Sequence, residues 1–397
     1  MIYDFDKIIH RKNTNCVKWD AVERIYGDKD VIPMWIADMD FQVAEPIARA
    51  VEKRAQHAIY GYSLKDKEYN EAVVNWMKKR HNWDIKTQWI TFTPGVVPAL
   101  NFIVRGFTSP GDEVIIQTPV YHPFYDAIKN NGAQIVKNPL KYEDGKYYMD
   151  FEDLKNKITD RTKLLILSNP HNPVGRVWTK EELTHLGEIC LRNNILVISD
   201  EIHFDLVYKG FKHTVFASIS EEFAQNSIIC TAPSKTFNIA GLQVSNIIIP
   251  NTKLRKAFRT EIENSGIDEP NAFATDALKA AYNEGEEWLE QLMEYLEGNI
   301  DYLLQFFQEK IPKLKVIKPE GTYLVWIDCS ELNMNRDELK EFFVKKVKLG
   351  FSNGIMFGEE GAQFQRINVA CPRSVLKDAL ERIEREVNKL SIYPSIS

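Results

Sequence analysis

The stretch TKLLILSNP, residues 162–170, is a short apolar run that ends in polar residues and a proline. The same pattern occurs four more times, in QWITFTPG (88–95), DEVIIQTP (112–119), NILVISDE (194–201) and SIICTAPS (227–234). Apolar runs of this length, bounded by turn-forming residues, predict buried strands. Helix-like segments such as VPALNFIVRGF (97–107) and TKEELTHLGEICLRN (179–193) lie between them. This alternation predicts an α/β protein with a mostly parallel sheet that is covered by helices on both faces.

The pattern changes near residue 287. The segment EEWLEQLMEYLEGNIDYLLQFFQEKI (286–311) has helical periodicity, and GTYLVWIDC (321–329) alternates like a strand. The segment SVLKDALERIEREVNKL (374–390) then has the periodicity of an amphipathic helix. We therefore predict a large domain over residues 49–287 and a smaller α+β domain made of residues 1–48 and 288–397.

Composition and charge are those of an ordinary globular chain. The 397 residues carry a formal net charge of −6 and no basic block, so we expect neither nucleic acid nor a membrane as a partner. The five cysteines are far apart and form no CxxC pair, which predicts no metal site and favours reduced thiols in the cytoplasm. The opening MIYDFDKIIHRKN (1–13) has acidic residues where a signal peptide needs an apolar stretch.

Polar residues that follow the apolar runs are candidates for a site. Because the carboxyl ends of parallel strands meet at one edge of a sheet, we expect Thr93, Asn169, Asp200 and Lys235 near one rim, where ligands bind in such folds. Lys235 is the one cation between residues 231 and 250. It is either a solvated lysine at a strand end or an amine whose pKa is lowered so that it can act as a nucleophile or base.

Four other features are candidates for a functional role. Asp200 is either a loop carboxylate or an acid that keeps a ligand cation protonated. Asn172, within SNPHNPVGR (168–176), belongs to a tight turn that could also hold its amide rigidly. The segment TPGVVPAL (93–100) brings backbone amides to a helix start, where anions bind. Tyr121 is either a core residue or a ring that stacks on a ligand.

Taken together, the anion site, the aromatic ring, the amide, the carboxylate and the lysine resemble the fold-type I pyridoxal 5′-phosphate (PLP) enzymes of the class I/II aminotransferase superfamily. SKTFNIAG (234–241) and NPHNPVG (169–175) are specific in combination. Within that superfamily, IADMDF (36–41) and SDEIHFDLVY (199–208) resemble the cystathionine β-lyase-like carbon–sulfur lyases, the group that includes cystalysin. The resemblance implies a seven-stranded, mostly parallel sheet, a smaller α+β domain, PLP as the cofactor, and a homodimer with active sites at the subunit interface.

The resemblance also implies roles for individual residues. Lys235 would link covalently to PLP and act as the base. The other residues that would contact the cofactor are Asp200 at the ring nitrogen, Asn172 and His203 at the ring oxygen, Tyr121 on the ring face, and the backbone of Val96 and Val97 with Ser234 at the phosphate. Tyr62 would reach the phosphate of the neighbouring subunit's cofactor. Arg366, aided by the backbone amide of Ala37, would bind the substrate α-carboxylate. Tyr121 and Lys235 are both candidates for protonating the departing sulfur.

Two positions depart from the general aminotransferase pattern. Gln243 stands where a phosphate-binding arginine is usual, and His203 stands where a tyrosine is usual. Both departures resemble the carbon–sulfur lyase subgroup, and the first leaves open how the phosphate charge is balanced.

The subgroup resemblance predicts α,β-elimination. The enzyme would cleave the Cβ–S bond of L-cystathionine, L-cysteine or an S-conjugated cysteine and release pyruvate, ammonia and a thiol or sulfide. Lysine, aspartate and arginine in these roles serve transamination equally well, so an aminotransferase is the alternative. An additional role as a regulator that binds a transcription activator is a third hypothesis.

Overall fold

The computed structural model describes residues 1–267 and 269–392, and its main element is a seven-stranded sheet. In spatial order its strands are Ile90–Thr93, Ser245–Ile248, Ser227–Thr231, Leu196–Asp200, Thr162–Ser168, Glu113–Ile116 and Gln134–Lys137. Ser245–Ile248 is antiparallel to both of its neighbours, and the remaining pairs are parallel. The predicted mostly parallel sheet is confirmed. One strand reverses because its connection carries only the helix Pro233–Thr236 and a single 3₁₀ turn, too little for a helical crossover.

The central strands are buried on both faces of this sheet. Leu165 and Leu167 pack into one hydrophobic core, whereas the alternating residues Leu164 and Ile166 pack into a second. This explains why the strands are continuous apolar runs.

The described part of the chain also contains α-helices. They are Val17–Asp20, Val22–Tyr26, Glu45–His57, Lys67–His81, Val96–Phe107, Pro123–Asn130, Phe151–Lys157, Lys180–Arg192, Glu221–Gln225, Pro233–Thr236, Thr252–Glu263, Ala272–Glu284, Glu286–Lys310, Arg336–Glu341 and Arg373–Ile392. None of the helices in the described part of the chain has the length and apolar character needed to cross a bilayer.

A second, antiparallel sheet lies in the C-terminal part of the chain. Its strands, in order, are Lys315–Ile317, Leu324–Asp328, Phe364–Asn368 and Ser352–Asn353. The N-terminal strand Ile32–Pro33 pairs in parallel with Leu349–Gly350, and Lys141–Glu143 forms a hairpin with Lys146–Tyr148. The N-terminal arm therefore packs on the C-terminal part. The long helix begins where the sequence pattern changes, and the domain boundaries themselves stay a prediction.

Candidate active site

The carboxyl edge of the large sheet brings the predicted rim residues together. Two strands end at Thr93 and Asp200, and Asn169 directly follows the strand Thr162–Ser168. Lys235 comes shortly after the strand Ser227–Thr231. Two of these side chains are structural, because the Thr93 hydroxyl is 2.7 Å from Ser245 Oγ and the amide of Asn169 donates to the Thr214 carbonyl at 3.1 Å. Asp200 and Lys235 instead face a pocket.

A pocket of about 170 Å³ opens at this edge. The predicted site residues that line it are Ala37, Val96, Val97, Tyr121, Asn172, Asp200, His203, Ser234 and Lys235. Arg366 is immediately behind, with Nη1 2.8 Å from Asn172 Oδ1. Tyr62 does not line this pocket. It is fully exposed, in a neighbouring cleft that shares Pro94 and Gln243 with the pocket.

Lys235 has the environment of a reactive amine. Its side chain is partly exposed, but its Nζ is surrounded by protein and donates to the Ala37 carbonyl at 2.5 Å. Burial lowers the pKa of Lys235 to about 8, with Arg366 adding to this effect and Asp38 and Asp200 opposing it. About a tenth of the amine is therefore unprotonated at pH 7, far more than for an ordinary lysine, and this unprotonated form is the one that a nucleophile or base requires.

Asp200 is a buried acid that lacks a firm partner. Burial raises its pKa to about 7, and the hydrogen bond from the Ile202 N–H and the charge of Lys235 only partly oppose this. In the same pocket, burial lowers the pKa of His203 to about 3, so its ring is neutral, and its Nδ1 has no partner among the described residues. A cationic ligand beside Asp200 would restore its ionised form.

Arg366 is a buried cation that has neutral partners. It lies in the strand Phe364–Asn368, and its Nη2 donates to the Trp35 carbonyl at 2.8 Å and to Ser352 Oγ at 3.0 Å. Its Nε has no partner among the described residues, and burial lowers its pKa to about 10. A buried guanidinium without a carboxylate is costly, so this group is suited to bind an incoming carboxylate in a bidentate manner.

The N-terminal arm carries the wall of the pocket that faces Lys235. Asp38 and Asp40 are held by Arg11, whose nitrogens are 2.7 Å from each, and Lys18 Nζ is 2.8 Å from Asp40. This ion cluster fixes the backbone around Ala37. The hydroxyl of the fully buried Tyr323 also donates to the Ala37 carbonyl, at 3.0 Å. Sequence reasoning missed Tyr323 because its alternating strand pattern predicts only core packing.

A potential anion site made of neutral groups lies in the same pocket. The helix Val96–Phe107 begins there with free backbone N–H groups, and the Ser234 side chain lines the same pocket. Gly95, with φ of 148°, provides the turn that admits a close approach to this helix start. Gln243 is exposed and neutral at the position where an arginine is usual. Gln243 therefore adds no positive charge to the neutral donors at this helix start.

These groups fit PLP. Lys235 offers an amine for its aldehyde, Asp200 a carboxyl for its pyridine nitrogen, and the helix start an anion site for its phosphate. The unpaired polar atoms of His203 and Arg366 indicate that the pocket is built for polar partners that the described residues do not supply.

The raised pKa of Asp200 predicts a pH-dependent stability for the cofactor-free protein. The folded state binds this proton more tightly than the unfolded state, where the pKa has its ordinary value of 3.8. Stability therefore falls as the pH rises from about 4 to about 7, by a few kcal/mol at most. We expect cofactor-free Asp200→Asn to melt at a higher temperature than wild type at about pH 8, with the difference vanishing near pH 4. The exposed Asp160→Asn is the control, and equal melting temperatures of Asp200→Asn and wild type at the higher pH would contradict the prediction.

The chain is similar to known proteins over nearly its whole length. Residues 29–383 match the family model for aminotransferase class I and II. The chain is 46% identical over 382 residues to the cystathionine β-lyase PatB of Bacillus subtilis (strain 168), covering 96% of this chain and 99% of that protein. Cystalysin from Treponema denticola, whose crystal structure contains PLP, has a TM-score of 0.96 and 41% identity, with 98% and 100% coverage. The PLP-bound C–S lyase from Staphylococcus hominis has a TM-score of 0.91 and 36% identity, with 97% and 98% coverage.

Proposed function

Because the chain belongs to the aminotransferase class I and II family, we propose that it cleaves the Cβ–S bond of L-cystathionine, L-cysteine or an S-conjugated cysteine by α,β-elimination. It is a PLP-dependent carbon–sulfur lyase of the cystathionine β-lyase type. The observation that carries the proposal is the pocket that Lys235 and Asp200 line, with the guanidinium of Arg366 immediately behind it and the Nε of that group without a partner among the described residues. The chain that forms this pocket resembles such lyases over nearly its whole length.

Each residue of the pocket has one task in this reaction. When bound, PLP supplies an electron-accepting ring that stabilises negative charge at the substrate Cα. Lys235 removes the proton from Cα, because its lowered pKa leaves the amine free to accept it. Asp200 would keep the ring nitrogen of the cofactor protonated, and Ser234 with the start of the helix Val96–Phe107 would hold its phosphate. The C–S bonding pair leaves with the sulfur, which Tyr121 or Lys235 protonates.

Arg366 orients the substrate in this scheme. Its guanidinium binds the α-carboxylate with two parallel hydrogen bonds, and Asn172, already 2.8 Å from Nη1, keeps the guanidinium in position. The backbone amide of Ala37 is the additional donor. A fixed carboxylate leaves the Cα–H bond directed towards Lys235, which restricts proton removal to one geometry.

A homodimer would complete the site. Tyr62 belongs to an exposed apolar segment that includes Ile59, Tyr60 and Leu64, all more than half exposed. Such a patch is typical of an interface. The cleft around Tyr62 borders the phosphate end of the pocket through Pro94 and Gln243. In the dimer, Tyr62 of one subunit would donate a hydrogen bond to the phosphate in its partner, where Gln243 supplies no charge. The cytoplasmic location stays a prediction.

The proposed reaction is tested by measuring product without a second substrate. Purified protein with PLP and L-cystathionine should release pyruvate over many turnovers with no oxo acid present, because elimination regenerates the enzyme. An aminotransferase would stop after one half-reaction until an oxo acid is added. No pyruvate from L-cystathionine, L-cysteine or an S-conjugated cysteine, together with rapid transamination, would overturn the proposal in favour of the aminotransferase.

A further inference from the structure

Two acid–histidine pairs, Glu201 with His213 and Asp205 with His81, lie behind the pocket, and we call these four residues the rear cluster. The carboxylate of Glu201 is 2.8 Å from His213 Nε2, and that of Asp205 is 2.9 Å from His81 Nε2. The two imidazole rings meet edge to face with their centroids 5.5 Å apart. None of the four lines the described pocket, so the roles assigned above leave the rear cluster without a function.

Asp205 is the member that reaches towards the reactive lysine. Its carboxylate accepts a hydrogen bond from Thr236 Oγ1 at 2.7 Å and from Trp76 Nε1 at 3.2 Å, in addition to its contact with His81. The side chain of Asp205 is completely inaccessible to solvent, and so is Thr236. A buried carboxylate needs every such donor, so it holds the Thr236 hydroxyl firmly.

Thr236 follows Lys235 directly and ends the helix Pro233–Thr236. A helix of four residues makes too few internal hydrogen bonds to fix its own orientation. Two side chains that follow Lys235 closely in the chain do so instead. Thr236 is tied to Asp205, and Asn238 Nδ2 donates to the carbonyls of Met39 and Phe41 at 3.0 and 2.9 Å. The position of the Lys235 amine therefore depends on both anchors.

We propose that Asp205 is a positioning residue for the elimination, because through the Thr236 hydroxyl it fixes the backbone that carries Lys235. The inference rests on the proposed chemistry at Lys235. A misplacement of about 1 Å at a reacting group costs on the order of 100-fold in rate. The α-carboxylate binds at Arg366, whose partners Asn172, Trp35 and Ser352 do not touch Thr236. Asp205 therefore acts on turnover and not on substrate binding.

The direct test replaces the hydroxyl and keeps the shape. In the PLP-loaded enzyme, Thr236→Val should lower kcat by about 10- to 100-fold while KM changes less than about threefold. The absorbance of the bound cofactor should titrate with a midpoint displaced by about half a pH unit or more, because the amine linked to it has moved. Thr236→Ser retains the hydroxyl and should restore most of kcat and the wild-type midpoint.

Three further variants separate positioning from general stability. Thr162 is the matched control, since its hydroxyl also donates to a buried carboxylate, Glu113, at 3.0 Å but far from the pocket. Thr162→Val should lower the melting temperature and leave kcat and the absorbance midpoint unchanged. Asp205→Asn should reproduce the effects of Thr236→Val, and the double variant should be no worse than either single one, because both remove the same link.

The results of these experiments distinguish a failure of the proposed function from a failure of the role proposed for Asp205. A wild-type enzyme that yields no elimination product would refute the proposed function whatever the variants do. An active wild type with Thr236→Val matching Thr162→Val in kcat and absorbance midpoint would overturn the role of Asp205. Fully additive effects of Asp205→Asn and Thr236→Val would also overturn it, because the two residues would then act independently.

Discussion

The Lys235→Ala protein is expected to release no measurable pyruvate from L-cystathionine, a loss of at least about 10⁴-fold in kcat. Among the described residues that line the pocket, Lys235 carries the only amine, so the substitution removes the group that we propose as both the covalent attachment point and the base. Borohydride reduction followed by mass spectrometry measures the first effect, because wild type should gain the mass of the reduced cofactor and Lys235→Ala should not.

Lys65 is the matched control for this experiment. Its amine is also enclosed, burial lowers its pKa, and it donates to the Ile90 carbonyl at 3.2 Å, yet it does not line the pocket. Lys65→Ala should be labelled like wild type. Label on Lys235→Ala at any other lysine would show that the covalent site is misassigned. If the chain also binds a transcription activator, that binding should survive in Lys235→Ala.

The second large effect is expected from Arg366→Lys, which should lower kcat/KM by about 10²- to 10³-fold, mainly through KM. Lysine keeps the charge but cannot offer the planar pair of N–H groups that a carboxylate accepts. It also leaves Asn172 Oδ1 and the Trp35 carbonyl without the donors they have now. Steady-state kinetics with L-cystathionine measure the change.

A substrate analogue that lacks the α-carboxylate is the first control, because wild type and Arg366→Lys should process it equally poorly. Arg176→Lys is the second. Arg176 is as deeply buried as Arg366, but its guanidinium already pairs with Glu182 and Glu320, each at 2.9 Å. This substitution should lower the melting temperature and leave KM within about threefold of wild type. An unchanged KM in Arg366→Lys would refute the assigned carboxylate site.

The fold was predictable where local pattern and tertiary burial agree. Strands such as Thr162–Ser168 are buried on both faces, so a continuous apolar run identified them. The edge strand Gln134–Lys137 is only partly buried and carries polar residues at both ends, so it gave no such signal. The strand Ile32–Pro33 has two residues, and its partner Leu349–Gly350 is more than 300 positions away. Local periodicity contains no information on such a pairing.

Some residues of the site could likewise be predicted from local sequence pattern, and others could not. Asp200, Asn172 and Lys235 could be found because each is near the carboxyl end of a strand in one parallel sheet. The contact of Arg366 with Asn172 joins residues 194 positions apart, and only the family resemblance indicated its role. No sequence pattern indicated a role for Asp205, because that role depends on hydrogen-bond donors that only the folded chain brings next to its carboxylate.

The pairing of the N-terminal arm with the C-terminal part has a consequence for synthesis of the chain. All seven strands of the sheet that presents Lys235 have been synthesised once the chain reaches Ile248. Arg366, whose guanidinium donates to the Trp35 carbonyl, is synthesised 331 positions after Trp35. The guanidinium that we propose to bind the substrate α-carboxylate is therefore the last of these site groups to be synthesised, and a prematurely terminated chain that contains Lys235 can lack it.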